Sequence, residues 1–292
     1  MAFSELAETL QGVTQEHASI TSRKMSEHVN GHISNDELWP TKFLAEHNEP
    51  GNLAVGCAAL VILNSAIEGY ELFQRLHDHA SFRLCADGGA DRLSRLLKNE
   101  FPEAKWSEAL NFALPDLIHG DLDSLSGEVR EQYEDLGVEI SKDPDQYSTD
   151  FGKAIKKVVE RLPDVTDVLV LGSIGGRVDQ GIGLLGELYR EQIVRHSGIR
   201  FWLFSEASVS MILLPGTTVI HTPLKQGLIR RNIGILPLYG PAMITTEGLE
   251  WDVEDWPTEL GGQMSTSNHI VADEIKVTTD KEVLFTVERV VT

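Results

Sequence analysis

The chain has 292 residues, 41% of them hydrophobic and 24% charged, enough for one large domain or two ordinary ones around a sizeable core. Its 45 acidic side chains outweigh 25 basic ones, for a formal net charge of −20. That argues against a nucleic-acid binder, which needs clustered Lys and Arg to neutralise phosphates, and suits a protein that uses metal ions or meets a cationic ligand.

Residues 1–40 are polar and lack a sustained period, so they are expected to be a poorly ordered extension. The acidic Glu5, Glu8 and Glu16 disfavour a signal or transit peptide, and the longest apolar run, 53–63, is too short to span a bilayer; a cytoplasmic location is expected. Cys57 and Cys85 sit in apolar runs and read as buried thiols rather than a disulfide or a zinc site.

From residue 41 strands and helices alternate. AVGCAALVILN (54–64) reads as a strand and GYELFQRLHDHA (69–80) as a helix; FRLCAD (82–87) and ADRLSRLLKN (90–99) repeat the pair. PDLIHGD (115–121) reads as a strand, GEVREQYEDL (127–136) as a helix and VEISK (138–142) as a short strand. The segment 149–162 has Phe151, Ala154, Ile155, Val158 and Leu162 at helical spacing; a strand (167–173), a helix (178–194) and a strand (199–205) follow. This alternation predicts an α/β fold, a parallel sheet with helices on both faces, over 41–206. Over 207–292 short strands broken by Gly and Pro predict an all-β second domain, a sandwich or barrel.

Ligands of open parallel sheets bind beyond the carboxyl ends of the strands, and the polar motifs fall there. CADGGAD places Asp87 after a strand, with Gly88 and Gly89 permitting a tight turn. HGDLDS supplies Asp121 and Asp123; DPDQYSTD supplies Asp145, Gln146, Thr149 and Asp150 at a helix start. GSIGGRVDQ brings Gly172, Gly175, Gly176, Arg177, Asp179 and Gln180. Singly, each has an ordinary explanation as a turn or helix cap, and the glycine loop matches no general phosphate motif. Together on one sheet edge, the carboxylates would repel unless a hard cation such as Mg²⁺ joined them, with phosphates on the glycine loop and under the Arg177 fork. Lys153, one helical turn from Asp150, reads either as its surface partner or as a phosphate contact.

The motifs LVILN (60–64), CADGGADRL (85–93), HGDLDS (119–124), DQYSTDFGKA (145–154), LGSIGGRVDQ (171–180), LLPGTTVIH (213–221), TTEGLEW (245–251) and STSN (265–268) occur in this order, and the set resembles the thiamine pyrophosphokinase family over roughly residues 41–290. The resemblance implies a homodimeric enzyme that moves the diphosphate of ATP to the hydroxyl of thiamine, with active sites at the subunit interface. It implies Asp121, Asp123 and Asp150 as a magnesium and phosphate centre, and Asp87, Gly88, Gln146, Thr149, Lys153, Gly175, Gly176 and Arg177 around the nucleotide. It makes Asp179 the candidate to orient or deprotonate the thiamine hydroxyl, and Gln180, Trp251, Ser265, Ser267 and Asn268 the thiamine contacts. The sequence departs from the family at Asp91, where Asn is frequent, and at Ser173, where a relative has glycine. A metal-dependent nucleotide hydrolase and a non-catalytic nucleotide or thiamine sensor are the rival readings of the same motifs.

Overall fold

The structure is a computed structural model that describes residues 37–46, 57–67 and 69–291. A two-residue strand, β1 (Glu37–Leu38), precedes β2 (Cys57–Ile62). Then come α1 (Tyr70–His79), β3 (Phe82–Ala86), α2 (Gly89–Glu100), α3 (Glu103–Phe112), β4 (Leu117–Gly120), α4 (Gly127–Asp135) and β5 (Glu139–Lys142). They are followed by α5 (Asp150–Arg161), β6 (Val165–Leu171), α6 (Val178–Tyr189), a π-helical turn (Arg190–Arg195) and β7 (Arg200–Phe204). Beyond it lie β8 (Ser208–Leu213), β9 (Gly216–His221), a 3₁₀ turn (Leu224–Gln226), β10 (Ile229–Leu236), β11 (Ala242–Glu247), β12 (Trp256–Thr258), β13 (Ser265–His269), β14 (Glu274–Thr279) and β15 (Val283–Arg289).

One ten-stranded sheet runs β13-β10-β15-β8-β7-β6-β2-β3-β4-β5. From β5 to β7 neighbours are parallel; at β7–β8 the pairing turns antiparallel and stays so. Period-two alternation sorts the strands' side chains to two faces: Leu60, Ile62, Leu169 and Leu171 enter one core, Ala59, Val61, Val168 and Val170 the other. Helices α1 to α3 cover the first face, with Leu76, Leu97 and Leu110. Helix α5 covers the second with Phe151, Ala154, Ile155 and Val158, the stripe expected from its spacing. A five-stranded sheet, β1-β9-β14-β11-β12, packs Ile220, Ile244, Ile275 and Val277 into the core that also holds Met211, Ile235 and Phe285 of the long sheet. The expected sandwich is therefore present, with one of its layers continuous with the parallel sheet. Among the described residues no helix is long and apolar enough to cross a membrane.

Several elements differ from the sequence expectation. Helix α3 was not anticipated: it buries only Ala109 and Leu110, so its apolar stripe is thin. The STSN motif, 265–268, lies in strand β13. Most of the expected N-terminal extension lies outside the described residues, but its last part is β1, paired parallel with β9 at Glu37↔Val219 and Leu38↔Ile220. The following residues bind the α/β half. Phe43 is fully buried, edge-on to Trp202 at 5.3 Å; Arg75 donates to Leu44 O, and the His79 ring meets Ala45 O at 2.9 Å.

The centre of this strap is Asp167 on β6. Its Oδ1 accepts the buried Trp202 indole N–H at 2.8 Å, and its Oδ2 accepts Lys42 Nζ at 3.1 Å. Removing one member of such a pair leaves the others desolvated and unsatisfied. Asp167→Ala is expected to lower the unfolding free energy by about 3 kcal/mol in urea titrations, while Asp167→Asn, which still accepts from the indole, loses less.

Candidate active site

The strand order reverses between β2 and β6: from β2 the chain steps to β3 on one side, and from β6 to β7 on the other. Such a switch point opens a crevice at the carboxyl ends of the strands. Two clefts of about 440 and 450 Å³ lie there, sharing Asn64 and Ser65 after β2 and Gly172, Ser173, Arg177 and Gln180 after β6.

The floor is shaped by close backbone contacts. A Cβ on Gly89, at the start of α2, would lie 2.2 Å from the Ile62 carbonyl oxygen, so only glycine lets this helix begin against β2. Asp91 in the first turn of α2 accepts Ser126 N–H at 3.1 Å and Ser126 Oγ at 2.5 Å, and Ser126 is the N-cap of α4. Asp91 therefore works as a brace between helices.

Asp87 follows β3 and is 1% exposed, with φ at 46°. Its Oδ2 accepts Ser124 N–H at 3.2 Å; its Oδ1 is buried and has no hydrogen-bond partner. Asp121 and Asp123 follow β4, separated by Leu122 at φ 64°. Oxygens of Asp87, Asp121 and Asp123 lie within 4.8 Å of one another. Burial pushes the Asp87 carboxyl up to about 6, with Asp150, Asp123 and Asp121 adding to the rise. This is a compact set of hard oxygen donors, one of them desolvated and unpaired, which matches what a Mg²⁺ ion accepts.

Asp150 opens α5 beside them. Thr149 is the N-cap, accepting Gly152 N–H at 3.1 Å. Burial, and then the Asp121 charge, raise the Asp150 carboxyl. Lys153 is not the surface residue its spacing allowed: its side chain is 2% exposed, with Nζ 3.0 Å from Asp121 Oδ2 and 3.7 Å from Asp150 Oδ1. The Lys153 hydrogen bond holds Asp121 below the usual carboxylate range.

The loop after β6 carries Gly172 and Gly176 at φ 73° and 67°, and leads into α6. Arg177 and Asp179 are exposed and form a two-pronged pair, Nε to Oδ1 at 3.1 Å and Nη2 to Oδ2 at 2.5 Å. That pair lowers the Asp179 carboxyl. Gln146 is exposed in the loop before α5, and Asp145 stiffens that loop by accepting Tyr147 N–H at 2.9 Å and Ser148 Oγ at 2.5 Å.

The thiamine candidates lie elsewhere, on the antiparallel strands and their turns. Trp251 is 56% exposed, its ring 5.2 Å from that of His269. Asn268 is buried with its amide committed: Oδ1 accepts Trp251 N–H at 3.2 Å and His269 N–H at 2.8 Å, and Nδ2 donates to Trp251 O at 2.9 Å. It presents Trp251 rather than offering a free edge. Ser267 has φ 58°, and Ser265 pairs in register with Ile235. Neither cleft at the strand ends is lined by Trp251, Ser265, Ser267 or Asn268. The structure thus places Asp87, Gly88, Asp121, Asp123, Gln146, Thr149, Asp150, Lys153, Gly175, Gly176, Arg177, Asp179 and Gln180 at one sheet edge and leaves Trp251, Ser265, Ser267 and Asn268 on the β-sandwich. The place of Asp87 among the candidate metal-binding carboxylates and the burial of Lys153 were missed; the position of Asp87 after a strand, before a Gly-Gly turn, was the sequence signal for the first.

Comparison with known proteins agrees with both halves. Residues 73–203 match the family model for the thiamin pyrophosphokinase catalytic domain, and 217–284 that for its vitamin B1 binding domain. Thiamine pyrophosphokinase 1 of Oryza sativa subsp. japonica is 32% identical over 247 residues, covering 82% of this chain and 90% of the relative. Thiamine pyrophosphokinase 1 of Arabidopsis thaliana is 34% identical over 235 residues, covering 78% and 85%. The crystal structure of yeast thiamin pyrophosphokinase superposes with a TM-score of 0.76 at 25% identity, covering 90% of this chain and 96% of that one. With a switch-point crevice, an acidic cluster and relatives that match over most of their own length, the chain belongs to the thiamin pyrophosphokinase family.

Proposed function

We propose that this enzyme transfers the diphosphate of ATP to the hydroxyl of thiamine, giving thiamine diphosphate and AMP, at the sheet edge formed by Asp87, Asp121, Asp123 and Asp150. The observation that carries the reading is the convergence of the Asp87, Asp121 and Asp123 oxygens within 4.8 Å, with Asp87 Oδ1 buried and unpaired. Asp121, Asp123 and Asp87 would hold Mg²⁺, and Asp150 would take a ligand or water position beside them. When bound, the ion supplies neutralisation of phosphoryl charge, so that the incoming hydroxyl is not repelled.

The chain's own groups do the rest. Gly88, Gly175 and Gly176 let the backbone approach phosphates, and the first N–H groups of α6 face them. Gln146 and Thr149 flank the nucleotide at the start of α5. Arg177 moves its fork from Asp179 to the phosphoryl oxygens and stabilises charge spreading there in an in-line displacement at the β-phosphorus. While paired, Asp179 is a weak base; once Arg177 turns to phosphate, its carboxylate regains basicity and accepts the thiamine hydroxyl proton. Gln180, next on α6, orients the same hydroxyl.

Trp251 offers a π face to the cationic thiazolium, worth about 1 kcal/mol and more when desolvated. Ser265 and Ser267 face the pyrimidine, and Asn268 holds the tryptophan in place. Because Trp251 does not line the crevice of its own chain, the functional unit is a homodimer whose active sites join the α/β half (41–206) of one subunit to the β-sandwich (207–292) of its partner. The free thiols Cys57 and Cys85 suit a reducing, cytoplasmic setting.

Asp121→Asn is expected to lower AMP formation by about a hundredfold or more while leaving the circular dichroism spectrum of the folded protein unchanged. AMP should appear only when thiamine is present; phosphate release without thiamine counts against transfer. Mixing Asp121→Asn with Trp251→Ala subunits, each impaired alone, should restore about a quarter of wild-type turnover, since half of randomly paired dimers hold one intact site. No recovery on mixing places both residues in one subunit's site.

A further inference from the structure

Around the acidic edge, among the described residues, Lys153 is the one cation in an ion pair with Asp121 or Asp150, and neither Asp87 nor Asp123 has such a partner. It is an unusual counter-ion. Its side chain on α5 is 2% exposed, and it binds across two chain segments, the end of β4 and the first turn of α5. It occupies Asp121 Oδ2, while Oδ1 accepts Asp123 N–H at 3.4 Å. A lysine ammonium is charged at neutral pH, and this one has two carboxylates within 3.7 Å.

We propose that Lys153 is a resident counter-cation: it holds Asp121 and Asp150 together before substrate arrives and keeps the cluster from retaining a bare divalent cation, so that the metal enters together with its nucleotide. The inference rests on the metal role proposed above for Asp121. The physics has a definite sign. A fixed positive charge a few ångströms from an Asp121-bound divalent ion repels it, and this repulsion is strong where water is excluded. A metal–ATP complex is itself negative, so the same charge attracts it. Without Lys153 the cluster would be a bare cage of carboxylates, tighter for the free ion and poorer for the complex. Lys153 is thus a positioning residue that sets the order in which metal and nucleotide bind.

The test is Mn²⁺ binding by the full-length protein, read by electron paramagnetic resonance of the free ion at about pH 8, where the carboxylates are ionised. Wild type should bind Mn²⁺ weakly alone and tightly with ATP. Lys153→Gln should tighten nucleotide-free Mn²⁺ binding by at least about tenfold and raise KM for metal–ATP, whereas Lys153→Arg, which keeps the charge, should stay close to wild type. Should the Gln variant fail to fold, Lys153→Met retains the apolar stem and carries the same measurement. Nucleotide-free binding no tighter in Lys153→Gln or Lys153→Met than in wild type overturns the proposal. So does Lys153→Arg binding as tightly as the neutral variants. Asp121→Asn separates this failure from that of the metal centre: if it binds Mn²⁺ with ATP as well as wild type does, the centre itself is elsewhere.

Discussion

Parallel pairing of β3 with β4 imposes a problem that the surrounding residues answer. The register Ala86↔His119 brings the ends of these strands level, so Asp87 and Asp121 leave the sheet side by side. Asp87 N–H donates to His119 O, and a Cβ on Gly120 would stand 3.0 Å from Asp87 Cβ, so there is no room for the chains to diverge. Carboxylates forced together in a half-dry crevice must lose charge or gain a cation. The structure shows both responses at once: Asp87 is pushed toward protonation, and Lys153 is drawn in from α5 to Asp121.

Strain points to the same places. Among the described non-glycine residues, positive φ occurs at Asp87, Leu122, Asp255 and Ser267. The first two aim the acidic side chains, and Ser267 precedes the asparagine that clamps Trp251. Conformations of this kind persist where surrounding structure over-determines them; of the four, Asp255 alone is neither among nor next to the residues proposed for the two substrates.

The sequence made the parallel half legible because two periods are written into it. Alternating residues of β2 and β6 enter opposite cores, and Phe151, Ala154, Ile155 and Val158 mark α5 as a helix on one face. The acidic turns were legible for a related reason: a strand's end is visible, and ligands gather beyond it. What spacing could not show is which turns become neighbours. Asp87 was read with the nucleotide because joining it to Asp121 requires the β3–β4 register. Lys153 was ambiguous because a one-turn offset from Asp150 says nothing about a partner 32 positions away. Helix α3 and strand β13 were missed since neither buries a full apolar stripe. The strap at Lys42 and Phe43 is local in sequence but earns its order only from Asp167 and Trp202.

That strap and the unbroken sheet bear on how two unlike substrates are handled. Phosphates need a polar crevice with mobile charges, and the exposed Arg177–Asp179 pair is free to exchange partners. A flat cationic ring needs the reverse, a stiff apolar surface, the role proposed for Trp251. Trp251 is held by both backbone groups to Asn268, which is buried on β13 and hydrogen-bonded again to His269. Strand β13 belongs to the same sheet as β2 and β6, and β1 ties the opposite layer of the sandwich to the segment anchored on β6. Rotation of the sandwich against the α/β half would therefore break sheet hydrogen bonds and the Asp167 cluster together. In the proposed dimer such rigidity has a consequence: the distance from a ring on one subunit's tryptophan to phosphates on its partner is set by how the subunits meet, not by motion within either. On that proposal, adaptation to the two substrates falls to side chains and the glycine loop, and the exposed Arg177 is the group that would make it.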